Sequence, residues 1–195
     1  MYRRSLSIIL TLILGTSFSH AQEWDQEKMK EMMELAKPGP EHKMLEKMVG
    51  TWEQTVKLWM KPGAEPAEMK GKSVNSMILG GRFLQSNVTG GEGEMKMEGL
   101  NLMGYDRRHK RFTTVGFDTW GTYYVTAAGP FDEKTNTIVM YGEDEEPTWD
   151  MTQKYNIIVR FVDDDTYISE VVFKDKRTPA ESEFKMVEVT HKRVK

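Results

Sequence analysis

From Thr51 to the C-terminus the chain alternates polar and apolar residues with a period of two, and turn-forming residues break the alternation every eight to twelve residues or so. That pattern constrains the fold more than any other feature. Period two sends successive side chains to opposite faces of an extended strand. The interruptions "LGG", "TGGEG", "DRRHK", "GPFDEKTN", "VDDD" and "DKRTPAE" are too short for the crossover helix that a parallel pair requires. Neighbouring strands are therefore antiparallel. Strands are expected over Thr51–Met60, Glu68–Ile78, Arg82–Thr89, Met95–Tyr105, Arg111–Asp118, Thr122–Ala128, Thr137–Tyr141, Met151–Val162, Thr166–Phe173 and Glu183–Arg193. About ten strands in a meander hide both edges most simply as an all-β, up-and-down barrel, with a two-sheet sandwich as the other solution.

The first expected strand illustrates the pattern. Trp52, Gln54, Val56, Leu58 and Met60 share one face, while Thr51, Glu53, Thr55 and Lys57 form a polar face that should meet water.

Before Gly50 the period changes. In "WDQEKMKEMMELAK" Met29, Met33 and Ala36 fall on one helical stripe beside Met32 and Leu35, with Asp25 placed to cap the start. "PGP" at Pro38 to Pro40 stops that helix, and Met44, Leu45 and Met48 make the apolar face of one or two further turns that Gly50 ends. Residues 22–49 thus read as an N-terminal helical segment lying across one barrel mouth, and residues 50–195 as the barrel domain.

The first 21 residues stand apart. "MYRRS" is basic, "LSIILTLILG" is apolar and "TSFSHA" ends in small residues, the three parts of an export signal cleaved after Ala21. The apolar run is too short for the ~20 residues that cross a bilayer. The expected mature protein is periplasmic or secreted and starts at Gln22. It keeps 174 residues, enough for one domain with a proper core. Loss of Arg3 and Arg4 takes the formal net charge from −3 to −5, which argues against nucleic acid as a partner. The chain has no cysteine, so it has no disulfides and no lipidated N-terminal cysteine.

The words "PGPEHKMLEKMVGTWE", "PGAEPAEMKGKSVNSMILGGRFLQ", "EGLNLMGYDRRHKRF", "GPFDEKTNT" and "ESEFKMVEVTHKRV" resemble, in order and spacing from Pro38 to the C-terminus, a bacterial family of unknown function, DUF1579. The resemblance implies a lipocalin-like (calycin) barrel and brings no catalytic residue with it. "MVGTW" is also similar to the opening strand of fatty-acid-binding proteins. The helix pair that follows that strand in those proteins has no counterpart here, so no fatty-acid ligand is carried over.

Candidate site residues follow from the faces. A lumen ligand, small and apolar or amphipathic, would meet Trp52, Val56, Tyr123, Tyr155 and His191 in a cavity of some 300 to 1,000 Å³. Val187, Val189, His191 and Arg193 share one side of the last strand. If that side faces the lumen, His191 and Arg193 would meet an anionic head group. Alternatively His191 would act as a base, or ligate haem iron as a late-strand histidine does in haem-binding relatives of such barrels. The opposite side begins equally apolar with Phe184 and Met186, so the facing stays open. His42, placed to hold backbone before the barrel, is the other metal candidate, and Met29, Met32, Met33 and Met44 around it would suit Cu(I). Methionine on a helix face is more often adaptable apolar filler.

Other signals fail on spacing. "KGKS" at Lys70 to Ser73 lacks the upstream glycine of a phosphate loop, and "GGEG" at Gly90 to Gly93 is a hairpin turn. "GEDEEP" and "VDDD" read as solvated turns without calcium-loop spacing. No hydrolase or zinc motif is present. A third possibility is a filled barrel whose Trp59, Trp120 and Trp149 contact an envelope partner.

Overall fold

The computed structural model describes residues 25–174 and 183–195. The expected export signal lies outside them, as does all of "DKRTPAE". The described residues divide into two units, 25–34 and those from Leu35 onward. In the first, α1 (Gln26–Leu35) begins where expected: the Asp25 carboxylate accepts from Glu27 N at 3.0 Å, and Met29 N donates to the Asp25 carbonyl. Met32 and Met33 on it are exposed.

The second unit holds α2 (His42–Glu46) and the strands β1 (Gly50–Leu58), β2 (Ala67–Ile78), β3 (Phe83–Gly90), β4 (Met97–Asp106), β5 (Arg111–Asp118), β6 (Val125–Gly129), β7 (Phe131–Asp132), β8 (Thr137–Glu146), β9 (Met151–Asp163), β10 (Thr166–Phe173) and β11 (Phe184–Arg193). Sequence neighbours pair antiparallel from β1 to β6 and from β7 to β11, and β1 pairs with β11. A further pairing of β6 with β8 closes ten strands into a barrel, leaving the two-residue β7 on the flank of β8. The barrel therefore replaces the sandwich as the solution to the meander.

The strands depart from the sequence reading at several bounds: β1 ends at Leu58 rather than Met60 and β4 starts at Met97 rather than Met95, and larger differences follow. β6 starts at Val125 rather than Thr122, and "GPFDEKTN" contains β7. β8 runs on through Glu143 to Glu146, because a rim strand facing water on both sides carries no apolar alternation to mark it.

The β6–β8 seam depends on glycine. Its ladder is short, Ala128 opposite Tyr141, and the Tyr155 hydroxyl extends it by donating to the Thr126 carbonyl at 3.0 Å. A Cβ on Gly129 would strike the Val139 carbonyl oxygen, and one on Gly142 would stand 2.5 Å from the Thr126 carbonyl oxygen and against the Tyr155 ring. Two hydrogen atoms thus permit two backbones to meet.

α2 stops the end of the barrel at which β1 starts. Leu45 and Met48 are buried with Trp52, Leu84, Phe112, Ile138 and Met140 in one continuous core. Gly50 joins helix to barrel with φ of +124°, a conformation in which a side chain would also meet the Arg193 guanidinium.

Candidate functional site

Register decides which side chains enter the lumen, since residues directly opposite in an antiparallel pair share a face. Trp52 on β1 is opposite Ser73 on β2 and Arg193 on β11, Gln54 is opposite His191, and Val56 is opposite Val189. His191 is in turn opposite Tyr167, which pairs with Phe161 on β9. Trp52 is 1% exposed, so its face is the inner one and the His191 face of the last strand is inner too.

The closed half of the lumen is filled. The Trp52 indole donates to the Met48 carbonyl at 2.9 Å, meets Tyr167 edge to face and receives the Arg193 guanidinium over its ring at 4.1 Å. Asn75 Nδ2 donates to the same Met48 carbonyl at 2.9 Å and to the Tyr167 hydroxyl at 3.3 Å. Burial pushes the Tyr167 phenol up to about 12. A cleft of about 80 Å³ between Lys47, Phe161 and Asp164 opens at this end, too small for most small-molecule ligands.

His191 forms a polar shelf above that floor. It is 6% exposed and stacks on Tyr167 at 3.9 Å. Its Nε2 lies 2.9 Å from Ser169 Oγ and its Nδ1 3.2 Å from Gln54 Nε2. The neutral tautomer with its proton on Nε2 satisfies both bonds. Desolvation lowers the imidazole to about 3, so it is uncharged at neutral pH. Iron ligation and general-base chemistry both need a free ring nitrogen, and neither nitrogen is free. These surroundings do not fit a haem iron ligated by His191.

Arg193 does not reach toward a ligand. Its guanidinium donates to the carbonyls of Lys47 and Val49, each at 2.6 Å, and pairs with Asp165 at 3.2 Å. It caps the last carbonyls after α2, so the anionic head group expected at His191 and Arg193 has no charge to meet there. Tyr155 and Val56 do face the lumen, Tyr155 against Phe173 and hydrogen-bonded across the seam. Tyr123 does not; at 66% exposure it stands on the β5–β6 connection, outside the strand expected to hold it. His42 is buried, with Nδ1 accepting from Gly39 N at 2.9 Å and its ring edge on Tyr105. Among the described residues no three His, Cys, Asp or Glu side chains gather as a metal set.

The other half of the lumen differs. Val56, Met69, Val88, Ile157, Val187 and Val189 point inward by register yet keep part of their surface in contact with solvent. Inward side chains of a closed barrel reach water only through an open mouth. Around it stand Trp120, Tyr123, Tyr124 and Trp149, all exposed, whereas Trp59 is half buried beneath the Lys185 ammonium at 5.5 Å. Ser169 and Asn75 were not singled out by sequence; small polar residues at inward positions of β10 and β2 are their only signal.

A family profile described as "Protein of unknown function (DUF1579)" matches residues 37–193. No curated protein matches the chain. Among solved structures, the crystal structure of Rv2717c from M. tuberculosis is similar, with a TM-score of 0.57 at 13% identity, covering 82% of this chain and all of that one. At that identity the likeness speaks to fold alone.

Proposed function

The chain belongs to this family of unknown function, DUF1579, and we propose that it is a binding protein whose barrel holds a small apolar or amphipathic molecule in the open half of its lumen. One observation carries the reading: the inward valines of β1, β3 and β11, with Ile157 of β9, are solvent-accessible, whereas the half beneath them is packed solid. Apolar surface kept wet inside a barrel is surface a ligand can dry, worth about 25 cal/mol for each Å² covered. We further propose that the protein acts outside the cytoplasm, on the evidence of its first 21 residues. N-terminal sequencing of protein recovered from its host should then begin at Gln22.

Binding of Nile red, an uncharged solvatochromic dye, tests the lumen. Its emission should shift to the blue and intensify with the wild type. Val189→Trp, which fills the inward position opposite Val56, should abolish that response while the thermal midpoint holds or rises. A wild type that leaves the dye unchanged would mean a filled barrel.

A further inference from the structure

Where the packed half of the lumen gives way to the open half, two cross-strand rows lie one above the other on the inner face. Gly71, Gln54, His191, Tyr167 and Phe161 form the row nearer the closed end. Directly above it run Met69, Val56, Val189, Ser169 and Val159. Neither row holds an acidic side chain, a lysine or an arginine, and the His191 imidazole is uncharged at neutral pH. The shelf is therefore polar without being charged. Its hydrogen bonds leave one donor over. Gln54 Nε2 donates to His191 Nδ1 at 3.2 Å, so the ring carries its proton on Nε2 and gives it to Ser169 Oγ at 2.9 Å. Ser169 accepts in that bond, and its own hydroxyl hydrogen finds no acceptor among the described residues. Gln54 Oε1 is turned onto Gly71, where a Cβ would stand 2.8 Å from it. Ser169 is inward and half-buried, directly opposite the solvent-accessible Val189, so its free hydrogen is available to the open half of the lumen.

Resting on the reading of the open half as a ligand site, we propose that its ligand is an uncharged molecule with an aliphatic chain and a carbonyl group, as in a ketone or an ester, which enters carbonyl first and accepts the Ser169 O–H. Val189 and Val159 stand opposite Ser169 on either side, and Val56 follows Val189, so the carbons next to the carbonyl meet valine. A carboxylate would give up water for a shelf with one neutral donor and no cation to offset the loss. The same desolvation keeps a proton off His191. A plain alkane would cover the hydroxyl and leave its hydrogen unmet, a cost that a carbonyl oxygen removes.

Decan-2-one and decanoate, matched in chain length, test this by displacing N-phenyl-1-naphthylamine, an uncharged fluorescent reporter without a carbonyl, from the mature protein at neutral pH. The ketone should displace it about tenfold more tightly than decanoate. Ser169→Ala should weaken decan-2-one about fivefold and leave the reporter and decanoate unchanged. Alanine also takes from His191 Nε2 its acceptor, so Ser169→Cys is the second variant. Its thiol still accepts from the ring but donates weakly, and the ketone alone should weaken again. Decanoate displacing the reporter as readily as the ketone overturns the proposal. So does a variant that leaves the ketone unchanged, and so does one that weakens ketone and reporter together, which marks a merely structural role for the hydroxyl. In each of these cases the reporter bound by the wild type still upholds the lumen reading. A wild type that binds no reporter overturns both.

Discussion

Gly129→Ala should open the barrel. The added methyl would occupy the space of the Val139 carbonyl oxygen, which belongs to backbone and cannot swing aside as a side-chain tip would. Either β6 retreats from β8 or the hairpin leading into β8 shifts, and both routes break the Ala128–Tyr141 bridge and the bond from Val139 N to the Pro130 carbonyl. Forced overpacking of this kind costs about 3 kcal/mol or more. The loss does not stop at one contact, because the seam is the only closure: once apart, β6 and β8 become free edges that recruit other chains. Urea unfolding followed by tryptophan fluorescence should show a lowered midpoint, and size exclusion should show aggregates. Thr126→Ala, an exposed position three residues earlier on the same strand, is the control and should stay within about 0.5 kcal/mol of wild type. A Gly129→Ala protein as stable as the control would mean that the seam tolerates separation.

That dependence on one glycine shows where sequence reading stops. The strands were legible because a half-buried strand must alternate, and Arg111–Asp118 and Thr166–Phe173 match their expected bounds. The path from meander to barrel was legible as a topological economy. Which two strands meet last was not, because a glycine that admits a passing backbone leaves the same mark as one that makes a turn. The acidic run after Tyr141 misled for a related reason: β8 continues to Glu146 at the rim, where neither face is buried and period two vanishes.

The inner face of the barrel was legible in outline. Trp52, Val56, Tyr155 and His191 are inward, as a period-two count from Trp52 suggests once the facing of β11 is known. That facing required the register, since Val187, Val189 and His191 compete in sequence with Phe184 and Met186. The bulge between Val171 and Val172 resolves the competition by letting Phe184 turn inward as well. Arg193 shows a further limit: it has the parity of a lumen residue, but a side chain of that length at a strand end reaches the nearest unsatisfied carbonyls, here those of Lys47 and Val49.

The buried imidazole should make the barrel acid-sensitive at mild pH. His191 has a folded pKa of about 3 against an unfolded 6.5, so between those values the unfolded chain binds a proton that the folded chain refuses. The stabilisation is complete above the unfolded value and is lost progressively as pH falls toward the folded one. From pH 7 to pH 5 the loss is about 2 kcal/mol. That window lies above the range in which Asp106 and Glu188, both held low by cationic partners, take up protons in the unfolded chain, so carboxylates add little to it. His42, lowered by burial, contributes with the same sign and is present in any His191 variant. Unfolding free energies of wild type and His191→Gln across this window isolate the shelf. Glutamine can still bond Ser169 and Gln54 but loses the stack on Tyr167, so the variant should be less stable at pH 7 and nearly flat below it, apart from the share of His42. Parallel curves would mean that the imidazole accepts its proton in the folded barrel, through water that reaches the shelf from the mouth.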